Sequence, residues 1–174
     1  MRKFLKYSVL PFAVLVAGCA GSGYGDRTAE AVLKPTQGNT ASGTVSFRQE
    51  GDSVEVTARV SGLTPGAHGF HIHDKGNCSA PDATSAGGHF NPAAKPHGHP
   101  EHADHHAGDL PQLMADAAGN ATLSARLSGL SIGEGAANIV GRGLIVHAVA
   151  DDFKTQPTGN SGARVACGVI LAGR

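Results

Sequence analysis

Gly69-Phe70-His71-Ile72-His73 sets two imidazoles two residues apart and alternates them with an aromatic and an aliphatic side chain. Successive side chains on a β-strand point to opposite faces, so residues two apart share a face. The pattern predicts a strand that turns Phe70 and Ile72 into a core and presents His71 and His73 together on its other side, as a two-nitrogen chelate. The neighbouring sequence enlarges that chelate. Nine of the ten histidines lie between His68 and His106, among them His89, His97 and a His106-x-x-Asp109 unit, and the tenth is His147. Imidazole nitrogen and carboxylate oxygen are donors for transition metals, and charge alone does not cluster histidines in this way.

Outward from this strand, alternating patterns mark Ala29 to Leu33, Gly43 to Gln49, Val54 to Val60, His68 to His73, Ala121 to Leu127, Gly143 to Val149 and Arg164 to Leu171 as strands. Turn signals separate them at Glu50-Gly51-Asp52, Thr64-Pro65-Gly66, Ala118-Gly119-Asn120 and Gly159-Asn160. Short strands with such punctuation indicate a sandwich or barrel. Gly is 25 of 174 residues, about twice the usual ~7%, which also suits strands and loops. The length is that of one domain with a full core. Two stretches, 74 to 110 and 150 to 163, have no periodicity, and loops of that length in a compact domain are usually functional or disordered. The first holds most of the candidate ligands, so metal binding is expected to order it.

The N-terminus is basic at Arg2, Lys3 and Lys6, then apolar from Val9 to Ala17 apart from Pro11, then Gly18-Cys19-Ala20. This is the grammar of a signal peptide, and the run is about half the ~20 residues of a membrane-spanning helix. Val16-Ala17-Gly18-Cys19 resembles the bacterial lipobox, which implies removal of residues 1–18, acylation of Cys19 and a flexible tether over 19–27 ahead of a domain at 28–174. A simply cleaved secretory signal is the alternative. Losing Arg2, Lys3 and Lys6 lowers the basic count from 14 to 11 against 14 acidic side chains, so the mature chain is mildly acidic. No basic stripe with interleaved aromatics appears, which argues against a nucleic-acid partner. An exported chain with three cysteines leaves one unpaired unless it has another use. With Cys19 lipidated, Cys78 and Cys167 are expected to form a disulfide, worth on the order of 4 kcal/mol by the chain-entropy estimate; a metal-binding thiol at Cys78 is the other reading.

Five collinear segments, Gly69-Phe70-His71-Ile72-His73, Gly88-His89-Phe90-Asn91-Pro92, His106-Ala107-Gly108-Asp109-Leu110, Val146-His147 and Gly162-Ala163-Arg164-Val165-Ala166-Cys167-Gly168, resemble the copper/zinc superoxide dismutases over roughly Thr28 to Arg174. The resemblance implies an all-β fold, an eight-stranded Greek-key β-barrel of immunoglobulin-like sandwich type with two long functional loops. It implies one copper per subunit on His71, His73, His89 and His147, and one zinc on His89, His97, His106 and Asp109. His89 then bridges the two ions as an imidazolate, and leaves copper to carry a proton when copper is reduced. Asp151 matches a carboxylate that orients a ligand on each metal. Arg164 matches the arginine that draws the anionic substrate to copper, a task suited to a permanently charged guanidinium. The implied activity converts superoxide to dioxygen and hydrogen peroxide. The family is among the enzymes held to the diffusional ceiling of about 10⁸–10⁹ M⁻¹s⁻¹, a property of the family and not a number read from this chain. Lys75, Lys95 and Lys154 are candidates for additional positive focusing.

Other residues fall outside the ligand pattern. His99, His102 and His105 read either as solvated loop histidines or as an accessory cluster that captures metal, and His105 adjoins His106 as a conceivable substitute ligand. His68 reads as a hydrogen-bonding residue of the Ala67-His68-Gly69 turn, and Asp152 as a solvated charge. The expected location is the cell envelope, periplasmic or surface-exposed, through an outer-membrane lipid anchor. The oligomeric state stays open, a homodimer included. A non-catalytic copper- or zinc-buffering lipoprotein is the competing function, but it has no need of Arg164 or of all four copper histidines.

Overall fold

The computed structural model describes residues 27–173; the signal segment and Cys19 lie outside them. Ten strands follow in order: β1 Thr28–Pro35, β2 Ser42–Glu50, β3 Ser53–Ser61, β4 Gly66–His68, β5 Phe70–His73, β6 Leu113–Ala115, β7 Ala121–Ser128, β8 Gly143–His147, β9 Arg164–Val169 and β10 Leu171–Ala172. Among the described residues the helical content is a single 3-10 turn at Thr84–Ala86. All strand pairings are antiparallel, and the neighbours run β4-β6-β7-β3-β2-β1-β9-β8-β5, with β10 also on β1. The two ends of that path are β4 and β5, which are halves of one stretch interrupted at Gly69, so the sheet comes round on itself. Likewise β9 and β10 are halves of one strand against β1. Counted this way the barrel has eight continuous strands, and the pairing of β3 with β7 while the chain crosses to β4 is a Greek-key connection.

Two kinds of strand build the barrel. In β1, β2 and β3 burial alternates, with Ala29, Ala31, Leu33, Val45, Phe47, Val54, Val56, Ala58 and Val60 inside; one face is core and the other is solvent. In β5 and β8 every residue is buried. Phe70, Ile72, Leu144 and Val146 fill the barrel interior, while the outer faces are covered by the long loops. Ile145 belongs to a small outer cluster with Ala83, Ala86 and Cys167, pinned by the Cys78–Cys167 disulfide, whose Cα atoms are 5.9 Å apart. The disulfide excludes a metal-binding thiol at Cys78.

The strand predicted over Gly143 to Val149 ends at His147, where the register with β9 is irregular. β6 has no counterpart in the sequence prediction: at three residues it is too short to show a period.

Phe70 is fully buried, so Phe70→Ala should cost about 3–5 kcal/mol in urea unfolding. A loss below about 1 kcal/mol would place the side chain outside a packed interior.

Candidate metal centre

Antiparallel partners face the same way, and the register places Ile145 beside His71, and Cys167 beside Ile145. His147 is two residues beyond Ile145 and shares its face. One outer corner of the barrel, across β5, β8 and β9, therefore carries His71, His73, His147 and Cys167. Arg164 stands opposite His147.

The loop between β5 and β6 delivers the remaining donors to this corner. Phe90 is buried in the barrel core, and its N–H donates to the Ile72 carbonyl at 2.8 Å, which holds His89 against His73. Gly108 donates to the Phe90 carbonyl at 2.8 Å and accepts from the Ile72 N–H at 2.9 Å. A Cβ at Gly108 would lie 2.2 Å from the Ile72 oxygen, so the glycine of the His106-x-Gly108-Asp109 unit permits this close approach. The Asp109 side chain then accepts from the backbone N–H groups of His106 at 2.8 Å and Gly98 at 3.1 Å.

Two donor groups result. His71, His73, His89 and His147 converge, all buried, with ligand atoms within 4.8 Å of one another. His71 Nδ1 and the Nε2 atoms of His73, His89 and His147 are buried with no hydrogen-bond partner in the protein. An unpartnered buried nitrogen is costly, and four of them aimed at one place fit a cation. Their tautomers are set from behind. His73 Nδ1 donates to the Gly87 carbonyl at 2.8 Å, His147 Nδ1 to the Gly162 carbonyl at 3.1 Å, and His71 Nε2 to Asp151 Oδ2 at 2.6 Å. Each ring holds its proton at the far nitrogen and turns a lone pair inward. Four imidazoles suit copper.

The second group is His89, His97, His106 and Asp109. Asp109 Oδ1 lies 2.9 Å from His89 Nδ1, 3.0 Å from His97 Nδ1 and 3.4 Å from His106 Nδ1, and the last is 3.4 Å from His89 Nδ1. A tetrahedron with arms of about 2.0 Å has edges of about 3.3 Å, the size of a zinc site. Three nitrogens and one oxygen close the shell with no open position, the structural type. His89 belongs to both groups, through Nδ1 to this one and through Nε2 to the other.

Asp151 ties the groups together from outside, since Oδ1 accepts from His97 Nε2 at 2.9 Å while Oδ2 accepts from His71. Gly159 is packed on it so closely that a Cβ would fall 1.8 Å from Oδ1. The half-buried Arg164 guanidinium donates to the Ala83 carbonyl at 2.6 Å and the Gly87 carbonyl at 2.7 Å. Gly87 thus accepts from both Arg164 and His73, and the disulfide holds its loop in place.

Burial governs the titration. It drives His73 down to about 2, His147 down to about 3 and His89 down to about 4, with neighbouring imidazoles adding to the effect. His97 moves the other way, to about 9, because hydrogen bonds to Asp109 and Asp151 outweigh its burial. Burial would raise Asp109 and Asp151, but the bonds from the histidines hold both well below the usual carboxylate range.

Among the residues outside the ligand pattern, His68 is buried and bonds the His147 carbonyl through Nδ1 at 2.8 Å, a structural role. Asp152 is exposed and accepts from Lys154 and Thr155 in its own turn. Lys95 Nζ donates to the Ala103 carbonyl at 2.6 Å and braces the loop. His105 faces away, donating to the His102 carbonyl at 2.7 Å. Sequence reasoning missed the carbonyls of Gly87 and Gly162, which no side-chain identity could reveal. It also missed Gln156, whose amide bonds both the N–H and the carbonyl of His97, at 2.8 and 2.9 Å.

Comparisons with known proteins bear on this arrangement. The sequence profile of the family described as copper/zinc superoxide dismutase matches residues 41–170. The chain is 40% identical over 152 residues to an extracellular copper/zinc superoxide dismutase of Brugia pahangi, covering 82% of this chain and 75% of that protein. A solved structure, that of the clock protein EA4, superposes with a TM-score of 0.76 at 38% identity, over 84% of this chain and 94% of that one.

Protons compete with a metal for a ligand only below that ligand's pKa. Burial disfavours a proton on His73, His89 and His147, whereas at His97 the hydrogen bonds to Asp109 and Asp151 outweigh burial and favour one, so protons compete there first. Dialysis of metal-loaded protein at stepwise lower pH, followed by metal analysis, should show the His97 group losing its ion before the four-histidine group. The reverse order would contradict these assignments.

Proposed function

The chain belongs to the copper/zinc superoxide dismutase family, and on that premise we propose that it is an exported, lipid-anchored member that removes superoxide at the cell envelope. Its activity is dismutation: two superoxide anions and two protons yield one dioxygen and one hydrogen peroxide. One superoxide loses an electron, the other gains one, and both protons end on the peroxide. His71, His73, His89 and His147 would hold copper, which would supply the reversible one-electron exchange, and His89, His97, His106 and Asp109 would hold zinc, which would supply a fixed charge without redox chemistry.

The observation that carries this reading is the double commitment of His89, one ring nitrogen to each donor group. Once Nε2 is released from the first group, His89 would carry a proton there for the reacting oxygen while Nδ1 stays anchored beside Asp109. Arg164 attracts and orients the anion next to His147. Two of its N–H groups are spent on the Ala83 and Gly87 carbonyls, which fixes the guanidinium, and the rest remain for substrate. Asp151 keeps His71 and His97 in register.

Export and anchoring rest on the segment ahead of the barrel. The basic and apolar run, with Cys19 at its end, supports cleavage after residue 18 and acylation. The Cys78–Cys167 disulfide suits an oxidising compartment, and the Brugia pahangi relative is named as extracellular.

Protein loaded with copper and zinc should consume superoxide, and His147→Ala should abolish this while circular dichroism stays unchanged. Arg164→Ser should keep both metals but lower kcat/KM by about tenfold or more and flatten its dependence on ionic strength. Protein that holds both metals yet shows no activity above that of free copper would instead be a metal buffer.

A further inference from the structure

The loop from Gly98 to His105 carries three histidines that neither donor group uses: His99, His102 and His105. Its base is held at several points. Gln156 clamps the His97 backbone, the Gly98 and His106 N–H groups share Asp109 Oδ2, and Lys95 bonds the Ala103 carbonyl. The tip is a turn closed by the His102 N–H donating to the His99 carbonyl at 2.9 Å. That turn brings the His99 and His102 rings side by side, with centroids 5.3 Å apart. Ring pairs within the two donor groups are spaced alike: His73 and His89 at 5.1 Å, His89 and His106 at 5.4 Å, His97 and His106 at 5.5 Å. The His99 ring also packs edge-on against Phe153, centroids 4.5 Å apart, which limits its rotation. The Glu101 N–H donates to His99 Nδ1 at 3.3 Å, which leaves Nε2 of that ring for a metal, and the Glu101 carboxylate lies 4.0 Å from Nδ1, so an anionic third donor stands within a side-chain adjustment of His99.

We propose that His99 and His102, with Glu101 as a third donor, form a further metal site on the protein surface that takes a borderline divalent transition ion such as Zn²⁺. Imidazole nitrogens select such ions over magnesium or calcium, which prefer all-oxygen shells. The spacing of the rings is already that of ligand pairs, and the braced loop lowers the entropy cost of assembling them. The site is open to solvent, with Glu101 and His102 exposed, so water completes the shell and exchange is fast. The site does not depend on the activity assigned to the buried centre.

The test uses full-length protein already loaded with copper and zinc and freed of excess metal, titrated with Zn²⁺ by calorimetry beside its His99→Asn/His102→Asn variant. Loss of an outer partner of a ligand alone costs about 10- to 100-fold in metal affinity, so losing two donor nitrogens should erase the binding event. The expected result is one further equivalent of Zn²⁺ in the unaltered protein and none in the variant, with Mg²⁺ giving no heat in either. Because both side chains lie outside the core, the variant should keep its copper and zinc content, which metal analysis checks. Absence of the further equivalent in the unaltered protein, or its persistence in the variant, overturns the proposal.

Discussion

One imidazole, that of His89, spends both ring nitrogens on separate donor groups, and the rest of the site is arranged around its placement. A ring fixed at both edges sets the separation of the two groups and leaves no freedom for either to drift. The position is secured from the core outward. Phe90 is buried in the barrel and bonded to Ile72, so its neighbour His89 is set against His73 on the adjacent strand. A side chain held by core packing costs little further entropy to hold in a ligating pose, whereas one on a free loop would cost about 1–2 kcal/mol per ordered residue.

The long loops are ordered by what they cover. Strands β5 and β8 are buried on both faces, a state that antiparallel sheets reach only when something lies over the outer side. Here the disulfide loop covers Ile145, and the histidine loop covers His71 and His73. The Gly87 carbonyl joins these two functions, since it sets the tautomer of His73 and also anchors Arg164. Because Cys78 and Cys167 tie that loop to β9, the covalent link acts on the placement of the Arg164 guanidinium as well as on the unfolded chain.

Much of this was legible beforehand, where the period was long enough to read. β1, β2, β3 and β7 alternate over eight or nine residues and were each identifiable. β6, at three residues, was not, and the shortening of β8 at His147 depends on a register irregularity against β9 that no local pattern encodes. Donor identities at His71, His73, His89, His97, His106, Asp109 and His147 could be read because metal chemistry restricts residue type. Their supports at Gly87 and Gly162 could not, because a carbonyl is the same on every residue. Gln156 was equally hidden, since an exposed glutamine in a polar loop carries no periodic or compositional sign of its partner 59 residues away.

By itself the sequence determined which atoms are available to bind metal, that Phe70 and Ile72 oppose His71 and His73 across a strand, and that one aperiodic stretch, 74 to 110, carries most of the remaining donors. These follow from side-chain chemistry and from the two-residue period of a strand, both of which are local. The family resemblance further implied that His89 serves both groups and that Asp151 orients a ligand of each. Only the tertiary structure decided which nitrogen of each ring faces inward, that the Gly87 and Gly162 carbonyls back two of the rings, that Gln156 clamps His97, and that Arg164 shares a carbonyl with a ligand. Those depend on contacts between residues tens of positions apart, where distance is set by strand register and loop closure, and no local rule along the chain specifies either.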